Sequence, residues 1–253
     1  GRGERFGGRA PKQYERILGR PVLSWTLAAL LAERSIRRVV VALAAGDRRF
    51  GRLDEASDVR VQACPGGAER SISVANALES LAGAARDEDW VLVHDAARPC
   101  LRAADLRALI DGVGRDPVGG LLAVPVGETL KRAGSNGRVE RTVPRDGLWR
   151  AMTPQMFRYG LLKRALALCI DRERNVTDEA AAIEAMGLRP RLVRGRGDNI
   201  KITHPEDRGL AAAILAASSC GLSPSGSTRC RRDCQIRSDS SDPDARACAA
   251  TPA

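Results

Sequence analysis

The sequence predicts an α/β protein built on an open, doubly wound and mostly parallel sheet. Three observations carry that prediction. Short apolar runs recur along the chain, and segments of helical period lie between them. The runs are apolar on both faces, as strands covered by helices on two sides must be. A length of 253 residues suits one such domain plus an appendage, with enough chain to bury a sizeable core.

The elements follow in order. The strand-like runs are RRVVVAL (37–43), VRVQA (59–63), WVLVHDA (90–96), GGLLAVPV (119–126), RPRLV (189–193) and NIKIT (199–203). RPVLSWTLAALLAE carries Pro21 near its start and an apolar residue every three or four positions, which predicts the first helix. RSISVANALESLAG predicts a second, stopped at Gly83. LRAADLRALIDGVG, FRYGLLKRALALC and TDEAAAIEAMG follow the same logic. In the last, Thr177 is the expected N-cap, with Asp178 and Glu179 favouring the positive end of the dipole. Residues 127–147 break the pattern. They read as two polar strands around Asn136-Gly137, a hairpin arm that must project from the core. The predicted domain therefore spans residues 1–217. The tail from Ser218 to residue 253 is rich in Ser, Pro, Gly, Asp and Arg, and it is predicted to be disordered.

Composition narrows the function. Hydrophobic residues make up 43% of the chain but aromatics only 3%, so the core is built from Ala, Leu, Val and Ile. No apolar run reaches the roughly 18 residues of a membrane span, and no secretory start is present, so a cytoplasmic protein is expected. A net charge of +10 suits nucleic acid, phosphorylated small molecules or an anionic surface, and equally an arginine-rich composition. Scarce aromatics and the lack of a basic recognition helix argue against nucleic acid. Only Lys12, Lys131, Lys163 and Lys201 are lysine, so a retained ammonium is informative: a compact charge suits a phosphate oxygen where a planar guanidinium does not. Cys64, Cys100 and Cys169 read as small buried hydrophobes, and the remaining four cysteines have no zinc spacing.

Several stretches carry chemistry. GRGERFGGRAPKQY opens the chain; it is neither a Walker A loop nor a strict dinucleotide fingerprint, and by itself fits either a flexible terminus or a phosphate cradle. Pro11 stiffens its exit and places Lys12. CPGGAERSISVANAL is a second glycine loop running into a helix, an anion or base-edge site, with Arg70 and Ser73 one turn apart. VLVHDAARPC puts Asp95 at the carboxyl end of a strand, where open sheets bind ligands and one carboxylate can serve Mg²⁺. Arg98 is expected to hold that loop, and His94 to be a satisfied strand histidine. Lys201 lies on a late strand, while Thr153 and Thr177 each sit at an element boundary as contact or cap. Two glycine loops, several cations and one carboxylate, without a Ser–His–Asp order, point to phosphoryl or nucleotidyl transfer.

In this order, GRGERFGGRAPKQY, GGAERSISV, LVHDAARPC, ETLKR, RDGLWRAMTPQMF, VTDEA and DNIKIT resemble the 2-C-methyl-D-erythritol 4-phosphate cytidylyltransferases, from residue 1 to about 217. The resemblance implies a Rossmann-like nucleotidyltransferase fold, a homodimer joined through the arm, and Mg²⁺. It implies CTP and methylerythritol phosphate as substrates. It places Gly1, Gly3 and Arg5 around the triphosphate, and Arg5, Lys12 and Lys201 on the reacting phosphates. Gly67, Arg70 and Ser73 fall in the cytosine-reading loop, and Asp95 and Ala96 at the ribose and metal edge. Thr129, Arg145, Thr153 and Thr177 fall on the methylerythritol phosphate, some reaching it from the partner. The family pattern starts with an apolar strand before the first glycine, so this sheet is expected to lack an interior member. A related cytidylyltransferase acting on ribitol 5-phosphate is the alternative, disfavoured by the residues around Arg145 and Thr153.

Overall fold

The computed structural model describes residues 11–220. They open with a 3-10 turn, Lys12–Tyr14, and a small hairpin of β1 (Arg16–Ile17) and β2 (Arg20–Pro21). Its loop has Leu18 at φ 49° and Gly19 at φ 78°. Positive φ at both central positions suits a two-residue hairpin loop, and glycine adopts it without a steric cost. α1 (Val22–Leu31) follows, with Pro21 at its N-cap. β3 (Val39–Leu43) and β4 (Val61–Pro65) pair in parallel, and α2 (Arg70–Glu79) leaves the glycine loop after β4.

The larger sheet contains β5 (Trp90–Val93), β6 (Gly119–Pro125), β9 (Trp149–Arg158) and β10 (Arg191–Arg194) in the order β10-β6-β9-β5. β10 runs parallel to β6, but β9 runs antiparallel to both β6 and β5. The sheet is therefore mixed where a mostly parallel one was expected. α3 (Ala103–Val113) lies between β5 and β6 in sequence; the arm strands β7 (Leu130–Ala133) and β8 (Val139–Val143) lie between β6 and β9. α4 (Tyr159–Asp171), α5 (Glu179–Glu184) and α6 (Asp207–Cys220) complete the described chain.

Adjacent residues on β9 show why helices cover both faces. Phe157 packs with Leu162, Leu166 and Ile183 of α4 and α5, while Met156 packs with Leu106, Leu109 and Val113 of α3. Leu121 and Leu122 of β6 divide between the same two cores. Period-two alternation between two apolar layers is what a doubly wound sheet demands, and each buried Leu or Phe contributes about 1.5–3 kcal/mol. Among the described residues, the β3–β4 pair and the four-stranded sheet form separate ladders. Leu30 and Ile36 pack into the cores of both and join them.

Further sequence expectations are corrected. β9 was not foreseen, because Pro154 interrupts its pattern. The register of β9 against β6 jumps from Gln155↔Leu121 to Ala151↔Ala123, leaving Pro154 in a bulge where no N–H is needed. Residues 199–203 are extended but form no strand. The N–H of Ile202 bonds Ala97 O and its carbonyl accepts from Lys12, so the segment binds loops instead of a ladder. The N-cap of α5 is Asp178, whose carboxylate accepts from the Ala181 N–H at 3.0 Å, and Thr177 is left exposed. The expected arm is present, turning with Gly137 at φ 73°. α6 continues to Cys220, so residues 218–220, expected in the tail, are helical. The rest of that tail lies outside the described residues. No helix among the described residues is long and apolar enough to cross a membrane. Cys64, Cys100 and Cys169 are buried free thiols, as expected.

Candidate functional site

A cavity of about 240 Å³ opens beyond the carboxyl end of β5. Arg70, Asp95, Thr153, Thr177 and Lys201, all singled out in the sequence, line it. Asp95 is its electrostatic centre. Lys201 Nζ lies 2.9 Å from Asp95 Oδ2, Arg70 Nε 3.3 Å from Oδ1, and Arg98 Nε 3.3 Å from Oδ2. Burial opposes the Asp95 charge, but Lys201 and Arg70, with Arg98, outweigh it and hold the carboxyl well below its ordinary value. Lys201 and Arg98 thus flank the Asp95 carboxylate while Arg70 is shared with Glu179, and Asp178 also lines the cavity, so a phosphate entering it meets Lys201 at the rim.

Several elements hold Asp95 in place. Its N–H donates to Thr153 Oγ1 at 3.0 Å, and that hydroxyl donates to His94 Nδ1 at 2.9 Å. With Nδ1 accepting, His94 carries its proton on Nε2 and donates it to Arg98 O at 3.2 Å. Burial pushes His94 down to about 4, against the pull of the Asp95 carboxylate, so the ring is neutral at pH 7. His94 is thus satisfied, as expected. The bulge in β9 aims Thr153 at this network. The hydroxyl proton of Thr153 is spent on His94, leaving the oxygen free only to accept. Arg98 donates to Asn199 O at 2.7 Å, and Asn199 Nδ2 to Thr153 O at 2.8 Å, which ties the 199–203 segment to β9. Lys12 Nζ donates to Ile202 O at 3.0 Å, placing the two lysines against neighbouring residues of one segment. Thr26 of α1 bonds Ala96 O at 3.0 Å and fixes the loop after Asp95.

The glycine loop is built tightly. A Cβ on Gly67 would collide with the Ile72 side chain. The Gly67 N–H donates to Ser73 Oγ at 2.9 Å, and Ser73 donates to Glu69 O at 3.0 Å. Ser73 therefore shapes the loop. Arg70 is committed elsewhere: its NH1 and NH2 groups bond the two oxygens of Glu179 at 2.5 and 2.9 Å. Glu179 is 1% exposed. Burial raises its carboxyl, with Arg70 pulling the other way. Stranding a buried carboxylate costs about 3–5 kcal/mol, whereas a bidentate base contact contributes about 1–3 kcal/mol. Arg70 is therefore firmly held on Glu179 in this structure.

Glu179 and Gln155 are the residues that sequence reasoning missed. Gln155 is 1% exposed; its amide donates to Asp178 Oδ2 at 2.9 Å and its oxygen accepts from the Ala180 N–H at 2.8 Å. The only sequence signal for Glu179 was its place in the first turn of α5. Thr129 and Arg145 lie on the exposed arm and do not line the cavity. Gly1, Gly3 and Arg5 lie outside the described residues. Among the described residues, no group of three His, Cys, Asp or Glu side chains is placed to hold a metal. Asp95 offers one carboxylate with both oxygens already on cations, so the donor set fits Mg²⁺ delivered on substrate phosphates, not an ion caged by protein. A larger cavity of about 440 Å³, around Arg20 and Arg49, shares no lining residue with this one.

A doubly wound α/β fold with lysine and arginine side chains lining a cavity beyond a strand's carboxyl end suits an enzyme that handles phosphoryl or nucleotidyl groups. Comparison with known proteins names the class more narrowly. The model of the family described as 2-C-methyl-D-erythritol 4-phosphate cytidylyltransferase matches residues 1–217. The chain belongs to that family. A relative of that name from Dechloromonas aromatica is 57% identical over 220 residues, covering 86% of this chain and 94% of its own. One from Laribacter hongkongensis is 54% identical over 222 residues, covering 87% and 95%. Among solved structures, a 4-diphosphocytidyl-2C-methyl-D-erythritol synthase superposes with TM-score 0.75 at 40% identity, covering 81% of this chain and 95% of that one. The Francisella tularensis cytidylyltransferase gives 0.74 at 34% identity, covering 82% and 94%.

Proposed function

We propose that this chain transfers the cytidylyl group of CTP to the phosphate of 2-C-methyl-D-erythritol 4-phosphate and releases pyrophosphate, a step towards isoprenoid precursors. The observation that carries the reading is the cation-ringed Asp95 cavity with Lys201 at its rim, in a chain of this family. A phosphate monoester is largely ionised near neutral pH, so no general base is required. One of its oxygens attacks the α-phosphorus in line. The bond from that phosphorus to the bridging oxygen breaks, and pyrophosphate leaves with the electron pair. Charge gathers on the non-bridging and leaving oxygens. Lys201 and Lys12, held by the same segment, neutralise it, each contributing about 3–4 kcal/mol to the barrier reduction. Mg²⁺ bound to the triphosphate would be met by Asp95 and would supply further neutralisation of that charge. The exposed Thr177 faces the acceptor phosphate, the accepting oxygen of Thr153 suits a hydroxyl of the methylerythritol chain, and the Gly66–Gly67 loop lies towards the base.

The arm is assigned to a homodimer. Thr129 and Arg145 sit on it, outside their own cavity, and Val139, Leu148 and Trp149 leave apolar surface exposed on the arm and at its base. Docked on a second copy, the arm carries Thr129 and Arg145 to the partner's cavity. Charged metabolites as substrates favour a cytoplasmic setting. The test is pyrophosphate release from CTP and Mg²⁺ with methylerythritol phosphate or ribitol 5-phosphate as acceptor. Turnover with the first and little with the second is expected. Turnover with ribitol 5-phosphate alone, or with neither, overturns the reading.

A further inference from the structure

Arg70 is the first residue of α2, three positions after Gly67, and Glu179 is the first residue of α5, two positions after Thr177. Their bidentate pair joins residues 109 apart in sequence. It is a direct side-chain link between the loop that faces the nucleotide and the loop that faces the acceptor. The third guanidinium nitrogen, Nε, reaches Asp95 at 3.3 Å. One planar side chain thus touches the nucleotide loop through its backbone, the acceptor loop through Glu179 and the central carboxylate through Asp95. A lysine has no fork to do this.

We propose that Arg70 is a positioning residue whose pair with Glu179 ties the nucleotide loop to the acceptor loop, so that a correctly seated CTP sets Thr177 and Asp95 for the acceptor phosphate. The inference rests on the function proposed above. It departs from the cytosine-reading role that sequence resemblance gives Arg70. Base recognition is then left to the rest of that loop, which the bonds from the Gly66 N–H to Leu43 O and from the Gly67 N–H to Ser73 Oγ hold in shape. On the acceptor side the pair has support: Gln155 bonds both Asp178 and the Ala180 N–H, so the start of α5 transmits any shift of Glu179 to Thr177.

The test compares wild type with Arg70→Gln, Glu179→Gln and the double variant in steady-state kinetics, with CTP against UTP as nucleotide. Glu179→Gln keeps the packing and removes the buried charge, so it remains folded where Arg70→Gln fails to; melting curves establish this. The positioning role predicts an acceptor KM raised at least tenfold in each variant, with CTP KM within threefold of wild type and the CTP-to-UTP preference unchanged. It also predicts that the double variant is no worse than the worse single one, since all three lose the same link. Arg70→Lys is not expected to restore the acceptor KM. Loss of CTP preference with normal acceptor KM overturns the inference and makes Arg70 a base reader. Losses that multiply in the double variant also overturn it. A wild-type chain that does not turn over CTP with methylerythritol phosphate instead overturns the underlying function, and this inference with it.

Discussion

Replacing Lys201 by methionine separates what the cavity does for stability from what it does for chemistry. The Lys201 side chain is 41% exposed, so its 2.9 Å contact with Asp95 is screened by water. A pair of that kind contributes about 0–1 kcal/mol to folding. Asp95 retains Arg70 and Arg98 and remains ionised. Methionine keeps the length and apolar stem of lysine. A loss of about 1 kcal/mol lowers the melting temperature of a chain this size by about 2–4 °C. The effect on the reaction is far larger. The ammonium faces a phosphorus whose oxygens gain charge only on the way to the transition state, and removing one such donor costs about 3–4 kcal/mol, roughly two to three decades in kcat. The assay is the initial rate of pyrophosphate release at saturating CTP and acceptor, beside a melting curve. The reasoning predicts kcat down 100- to 1,000-fold with melting within about 4 °C of wild type. A kcat within tenfold of wild type would refute it, and so would a collapse in melting temperature, which would make Lys201 a structural residue.

Other outcomes follow from the same geometry. Lys12→Ala should lower kcat by about two to three decades in the same assay while the loss of this half-buried side chain leaves the protein folded. Stability should fall in acid through His94. Its folded value of about 4 lies below the ordinary 6.5, so the unfolded chain takes up the proton first. The contribution is complete above about pH 6.5 and is lost as pH falls towards 4, about 3 kcal/mol in all, and His94→Asn should flatten urea-unfolding stability over that window. Gly67→Ala should cost about 1–3 kcal/mol and raise KM for CTP more than KM for the acceptor, since its methyl group must displace Ile72 and with it the loop. Unchanged CTP binding by calorimetry in that variant would contradict the loop's assigned role.

Much of the fold was legible in local pattern. The runs behind β3, β4, β5, β6 and β10 are apolar on both faces, and the helices between them carry a clear period. The arm was legible because Asn136-Gly137 marks a turn and its flanks are too polar for a core. β9 was not, because a proline in a central strand reads as an interruption unless the partner strand's register is known. Residues 199–203 misled in the opposite sense: apolar alternation is present, but the backbone bonds go to Ala97 and Lys12, which no local pattern reveals. In the site, Asp95 and Lys201 were legible from their places in motifs. The commitment of Arg70 to Glu179 was not, since the pair is set by two helix starts that only the fold brings together. Thr177 and Asp178 compete for one cap, and the sequence carries no signal that decides between neighbours.

The central claim is that the acceptor's own phosphate oxygen attacks the α-phosphorus of CTP. Methylerythritol phosphate labelled with ¹⁸O in its phosphate, incubated with the full chain, CTP and Mg²⁺, and followed by ³¹P NMR, tests this most directly. The account predicts label in the oxygen bridging the two phosphorus atoms of the product and none in pyrophosphate. Product without bridging label, or label in pyrophosphate, would contradict it.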